Sequence, residues 1–165
     1  MIFAAAMRFN QIRRQDPQGR QRRWRSMLSS ATSGGIALCF TNLGGRAEVE
    51  GDYSSALSFL KRALLIQRDL RDLSTMSLSL LAIGYVACAV AEPVHAARIW
   101  GRRELLREEI DAPVHEADRL EYNEHVAAAR AAARDYSAVD AAWMEGRAIT
   151  VEQAIEYVLN ELPPS

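Results

Sequence analysis

The chain has 165 residues, of which 49% are apolar and 25% are charged, and its formal net charge is −1. This composition is typical of a globular protein with a core, and it excludes wholesale disorder, a collagen-like repeat and a strongly basic nucleic-acid binder. The sequence contains no apolar run of the roughly 18 residues that a membrane span needs, so we expect no membrane partner.

The first 33 residues differ from the rest of the chain. Residues 1–40 contain seven arginines and one acid, Asp16, whereas the remainder contains 13 basic and 20 acidic residues. Residues 1–33 show no repeat and no sustained apolar stripe, so we predict a basic head that is disordered or not native, for example because of a misassigned start. The alternative is a head whose arginines bind nucleic-acid phosphates while Trp24 stacks on a base.

The segment 34–162 carries an internal repeat with an offset of 40 residues. Asn42-Leu43-Gly44 corresponds to Ala82-Ile83-Gly84, and twelve residues after each glycine comes an alanine, Ala56 or Ala96. Large apolar residues recur at matching positions: Phe40 and Leu80, Leu60 and Trp100. Small residues let two helix axes approach closely, and bulky residues fill the gaps around the crossing. Each unit is therefore predicted to be an antiparallel helix pair that stacks on its neighbours.

Periodicity and capping residues predict seven helices, over residues 34–50, 53–70, 75–91, 94–110, 116–134, 138–146 and 151–162. Gly51-Asp52 ends the first helix and caps the second, and Pro93 suits a first helical turn. Thr150 and Gln153 form a capping box ahead of the last helix. No segment shows a strand pattern. The predicted fold class is all-α: an antiparallel helix-hairpin array of two units, a capping helix and a terminal helical pair.

The first unit resembles a tetratricopeptide repeat in Asn42-Leu43-Gly44, the turn Gly51-Asp52-Tyr53, Ala56 and Ala63. The second unit departs from that family, because it lacks the Gly-Asp-Tyr turn and has Arg103 where a small residue is usual.

The C-terminal third is similar to the closing segment of large bacterial ATPase regulators of the LuxR and AfsR types. The matching stretches are Ala96–Gly101, Ala112-Pro113, Trp143–Thr150 and Glu152–Ile155. The resemblance implies an α-solenoid that binds a protein or peptide, as the C-terminal part of a transcriptional or signalling regulator. Because the apolar start at residues 2–7 precedes the arginines, the reverse of the order in a secretory signal, we expect a cytoplasmic protein. We expect no enzymatic activity. The alternatives are a nucleic-acid-associated regulator that uses the arginine-rich head, and a truncated structural remnant without activity.

The resemblance also implies a concave groove, which the inner helices line with Thr41, Asn42, Gly45, Glu48, Ala82 and Tyr85. Asn42 is the leading candidate, because a side-chain amide can pair with the backbone of an extended peptide. The alternative is that Asn42 only satisfies a neighbouring helix end. If no repeat packs against the helix at 34–50, its exposed apolar face is expected to drive homodimerisation.

The chemistry-bearing residues do not form a catalytic, cofactor or metal pattern. The sole lysine, Lys61, belongs to no phosphate loop, and Cys39 and Cys88 are expected to be buried free thiols. Glu121 and His125, one helical turn apart, are expected to form an ion pair rather than half a metal site. Trp100, Trp143 and the alanine run 127–133 are expected to pack against neighbouring helices.

Overall fold

The computed structural model describes residues 32–113, 116–133 and 135–162. Its helices are α1 Ser33–Val49, α2 Tyr53–Leu70, α3 Leu73–Ala89, α4 Pro93–Glu109, α5 Glu116–Ala132, α6 Tyr136–Ala148 and α7 Val151–Glu161. No strand occurs within these ranges, so the all-α prediction is confirmed. The predicted head lies outside the described residues, except for Thr32, which caps α1, and Ser33. In the described part of the chain, no helix is both long enough and apolar enough to cross a membrane.

Short capping motifs set the helix boundaries. Gly51 adopts a left-handed φ of 79°, and the Asp52 side chain accepts a hydrogen bond from the Ser55 amide at 3.1 Å, as the sequence predicted. The capping box of Thr150 and Gln153 is likewise confirmed. The predicted start of α3 at residue 75 was two residues late, because the cap is Asp72, which accepts from the Thr75 amide at 3.1 Å.

The short helix α6 is longer at both ends than predicted. The sequence pattern placed its start at residue 138. Instead, Asp135 is the cap and accepts from the Ser137 amide at 2.9 Å, so the helix begins at Tyr136. An Asp at the cap position satisfies an amide that the first helical turn leaves without a partner.

Contacts within the first four helices show two antiparallel pairs. Between α1 and α2, Thr41 bonds to Gln67 and Gly44 lies against Leu60, so positions that ascend in α1 meet positions that descend in α2. Between α3 and α4, the Trp100 indole donates to the Leu81 carbonyl and the Arg103 guanidinium to the Ser77 carbonyl. Helix α3 also contacts α1, α2 and α5, so it lies at the centre of the described helices.

The last two helices do not form the predicted terminal pair. Helix α6 packs chiefly along α4, whereas α7 contacts α2 and α4. The α4–α6 crossing is close because glycines stand on both sides: a Cβ atom on Gly101 would overlap the Trp143 carbonyl, and one on Gly146 would overlap the Arg98 carbonyl. Two glycines at one crossing remove the side chains that would keep the helices apart, so α6 docks on α4 instead of on α7.

Helix α5 packs through a narrow stripe. The prediction that the alanine run 127–133 packs closely on a neighbour was mostly wrong, because only Ala129 is buried. The alanines exposed to solvent are Ala127, Ala128, Ala131 and Ala132. The helix is instead held by Tyr122 and Val126, which belong to or pack on the central core.

Candidate functional site

The predicted groove positions lie on two helices that touch one another. The hydroxyls of Thr41 on α1 and Ser79 on α3 are 3.0 Å apart, which fixes the two helices side by side. The 40-residue offset makes Asn42 equivalent to Ala82, and Gly45 equivalent to Tyr85.

Thr41 serves the interior of the fold rather than a groove. Its hydroxyl donates to the Ala37 carbonyl at 3.1 Å and accepts from Nε2 of the fully buried Gln67 at 3.2 Å. With the Ser79 contact, these bonds use the hydrogen-bonding capacity of one hydroxyl group. These bonds give Thr41 a structural role at the junction of α1, α2 and α3, where the sequence predicted a groove residue.

Asn42 and Gly45 form the open part of the site. The Asn42 side chain is exposed, and the described structure gives its amide no hydrogen-bond partner. A Cβ atom added to Gly45 would meet no other atom within 4 Å, so empty space lies above this turn of α1. An exposed amide beside unfilled space can form hydrogen bonds to a partner without displacing any protein group.

Glu48 and Ala82 are both half-buried. Glu48 lies one turn beyond Gly45 on α1, and the neighbouring carboxylate of Glu50 is already paired with Arg46. Ala82 belongs to the set of half-buried residues that pack on the central core. Helix α3 has no acidic or basic side chain, so the site has its charges on α1 alone.

Tyr85 is covered on one side by helix α5. The rings of Tyr85 and His125 are stacked, with centroids 4.0 Å apart and planes at 30°. Tyr85 also meets the buried Trp100 edge to face at 5.8 Å. The predicted ion pair of His125 with Glu121 involves a side chain, that of Glu121, which lies outside the described residues. His125 stands 40 residues after Tyr85, and extending the repeat offset into a third unit would have revealed it.

A buried cation supports the aromatic cluster behind Tyr85. Arg103 is 3% exposed, donates to the Ser77 carbonyl at 3.2 Å and lies over the Tyr122 ring at 5.1 Å. Burial lowers the pKa of this guanidinium, although Tyr122 opposes that effect, and an arginine retains its charge under such conditions. The residue that departs from the family pattern thus anchors α4 to α3 and α5.

A second polar cluster lies away from the groove, where α4, α6 and α7 meet. Arg98 donates to the Tyr157 hydroxyl at 2.8 Å and pairs with Glu145, while the same hydroxyl bonds to Nδ1 of His95. These contacts join three helices and neutralise the Arg98 charge. No group of three or more potential metal ligands occurs in the described ranges. Both cysteines are free and half-buried, somewhat more accessible than predicted.

Comparison of the chain with protein-family models, with curated proteins and with solved structures found no match.

Proposed function

We propose that this chain is a non-catalytic protein- or peptide-binding module with a tetratricopeptide-like arrangement of its helices. Its binding surface is the open part of the site on α1, with Tyr85 on α3 as a wall. The observation that carries the proposal is the exposed Asn42 amide beside the empty space above Gly45. The sequence resemblance further supports a place within a transcriptional or signalling regulator.

The chemistry of this surface suits an extended peptide. A carboxamide offers one acceptor and two donors, so Asn42 can pair with both the N–H and the C=O of a peptide backbone. Gly45 leaves room for a side chain of the ligand, and the half-buried Tyr85 offers an apolar wall on the adjacent helix. Hydrogen bonds to the peptide backbone supply affinity, while the space above Gly45 selects the ligand side chain by its size and apolar character.

The test is selection from a display library of random linear peptides against the full chain, followed by calorimetry with the selected peptides. We expect Asn42→Ala to weaken binding by about tenfold, the effect of losing one or two hydrogen bonds. Gly45→Leu should abolish binding, because the new side chain fills the space that the ligand needs. That substitution meets no neighbouring atom at its Cβ, so the fold should be retained.

The matched control is Ser58→Ala on α2, which also truncates an exposed polar side chain on a helix. It should leave affinity unchanged. Selected peptides that bind wild type and both site variants equally would show that the ligand lies elsewhere, and the proposal would fail. A selection that yields no binder against the folded chain would also count against it.

A further inference from the structure

The exposed stripe of α1 has the spacing of a helix–helix seam. Its members are Leu38, Asn42, Gly45 and Val49, which lie four, three and four residues apart. Leu38 is 39% exposed and Val49 is 82% exposed, although both are large apolar residues. Alternation of three and four residues is the pattern by which two helices pack along a common seam. Leu38 and Val49 belong to neither apolar cluster of the described residues, and this stripe is called the α1 seam below.

We propose that the partner of the α1 seam is a second copy of this chain, which packs antiparallel about a two-fold axis. In that arrangement, Leu38 of one copy faces Val49 of the other, and Asn42 faces Gly45. The two large apolar side chains, Leu38 and Val49, then pack on each other, while Asn42 fills the open space at Gly45, and each contact occurs twice.

A parallel arrangement fits less well. It would place Gly45 opposite Gly45 and leave a void, because nothing lies within 4 Å of a Cβ atom at that position. Unfilled space in an interface costs free energy in proportion to its volume. The antiparallel arrangement fills that space with the Asn42 amide, which is both donor and acceptor and can bond to the backbone around Gly45.

Charge does not oppose the contact. The four seam residues are uncharged, and the nearest flanking charges on α1, Arg46 and Glu48, have opposite signs. Arg46 is further neutralised by its ion pair with Glu50. Two copies can therefore approach without like charges facing each other, and an isologous contact needs only this self-complementarity.

The dimer would regulate the proposed function, since Asn42 and Gly45 belong to both surfaces. A peptide and a second copy would compete for the same turn of α1, so peptide binding would favour the monomer. This competition rests on the proposed function, whereas the dimer itself does not. A contact centred on one helix is small, so we expect a weak and reversible dimer.

The test is sedimentation equilibrium of the full chain from about 10 μM to about 1 mM, a range that covers weak dimers. We expect a concentration-dependent dimer whose dissociation constant rises about tenfold or more in Val49→Glu, because the glutamate is buried in the seam without a partner. Met144→Glu on α6 is the matched control, since Met144 is 66% exposed and lies outside the seam. It should dimerise like wild type.

A monomer throughout this range would overturn the dimer, and so would a dimer that Val49→Glu leaves intact. Deletion of residues 2–31 should not change the dissociation constant. A change would show that the head occupies or creates the contact, and would overturn the proposal too.

Orientation is tested by mixing two single variants, Leu38→Cys and Val49→Cys, under mild oxidation. The antiparallel dimer predicts a disulfide between the two variants and none within either variant alone, beyond the wild-type background from Cys39 and Cys88. Cross-linking of Leu38→Cys to itself would indicate the parallel arrangement and overturn this geometry. Finally, selected peptides should still bind the monomeric Val49→Glu. If the peptides do not bind, the proposed peptide site is refuted, and the proposed dimer is not affected.

Discussion

Gly84 on α3 lies against the indole of Trp100 on α4, so close that a Cβ atom at position 84 would overlap Nε1 and lie 2.5 Å from Cε2. The indole is fully buried, and its Nε1 donates to the Leu81 carbonyl at 3.3 Å. In the first unit, Gly44 meets Leu60 in the same way, since a Cβ atom at position 44 would lie 2.5 Å from the Leu60 Cγ. Each of the two glycines therefore leaves the space that a large side chain of the paired helix occupies.

Replacing Gly84 with alanine should destabilise the fold. The rigid, buried indole cannot move aside, so the extra methyl group overpacks the core and should cost about 1–3 kcal/mol of unfolding free energy. This outweighs the gain of up to about 1 kcal/mol that alanine brings to a helix interior. Urea unfolding followed by circular dichroism measures the difference.

Gly45→Ala is the matched control, one residue from the corresponding Gly44. The added methyl group meets nothing within 4 Å, so only the helix propensity changes. We expect stabilisation of about 0.5–1 kcal/mol. Equal effects of Gly84→Ala and Gly45→Ala would contradict the packing described for α3 and α4.

Gly146→Ala should loosen helix α6 specifically. The new Cβ would overlap the backbone carbonyl of Arg98, and a backbone atom can move aside only if the helices separate. We expect a loss of about 1–3 kcal/mol, with faster amide exchange in α6 than in α1 and α2. Ala148→Gly, at the exposed end of the same helix, should change exchange little. Uniform exchange across all helices would refute a local α4–α6 crossing.

The sequence was informative where a residue acts through local chemistry or through a repeated spacing. Asp52, Pro93 and Thr150 mark helix starts by their own side chains, and Gly44 with Gly84 marks the crossings through the 40-residue offset. The partner of α6 could not be read in this way. Gly101 and Gly146 lie 45 residues apart with no repeat relating them, so nothing local indicates that they meet.

The candidate site was predictable only in part, for the same reason. Thr41 and Asn42 are consecutive residues of α1, yet the Thr41 hydroxyl bonds to Gln67 and Ser79, which belong to two other helices. Asn42, one residue further around α1, stays exposed. Which of two adjacent polar side chains is buried depends on distant partners, and a single sequence does not reveal them.

Lys61→Met should release the end of α7. The Lys61 ammonium donates to the carbonyls of Leu159, at 3.2 Å, and Leu162, where the last turn of the helix leaves carbonyls without partners. A cation at this end also interacts favourably with the helix dipole. Methionine keeps the length of the side chain but not these bonds, so we expect a loss of about 1–2 kcal/mol.

Amide exchange in α7 gives the readout for this variant, and Arg119→Met, which removes an exposed cation from α5, is its control. The α7 amides should exchange faster in Lys61→Met alone. Unchanged protection of α7 would show that its apolar stripe, which includes Ile155 and Val158, is sufficient to hold it.

Cys88 should be a slow nucleophile with an alkaline pH profile. Burial raises the pKa of its thiol from 9.0 to about 11, so at pH 8 the thiolate population is about a hundredfold smaller than for an unperturbed thiol. Because the native state holds this proton more tightly than the unfolded chain, stability from this group is complete below pH 9 and is lost as the pH rises towards 11.

Iodoacetamide alkylation of a Cys39→Ser variant, followed by mass spectrometry from pH 7 to 11, isolates the Cys88 rate. The rate should keep rising beyond pH 9, and unfolding in urea should bring the profile back to that of an ordinary thiol. A plateau near pH 9 in the folded protein would mean that Cys88 reaches solvent readily, and that α3 is less closely covered on that side than its contacts indicate.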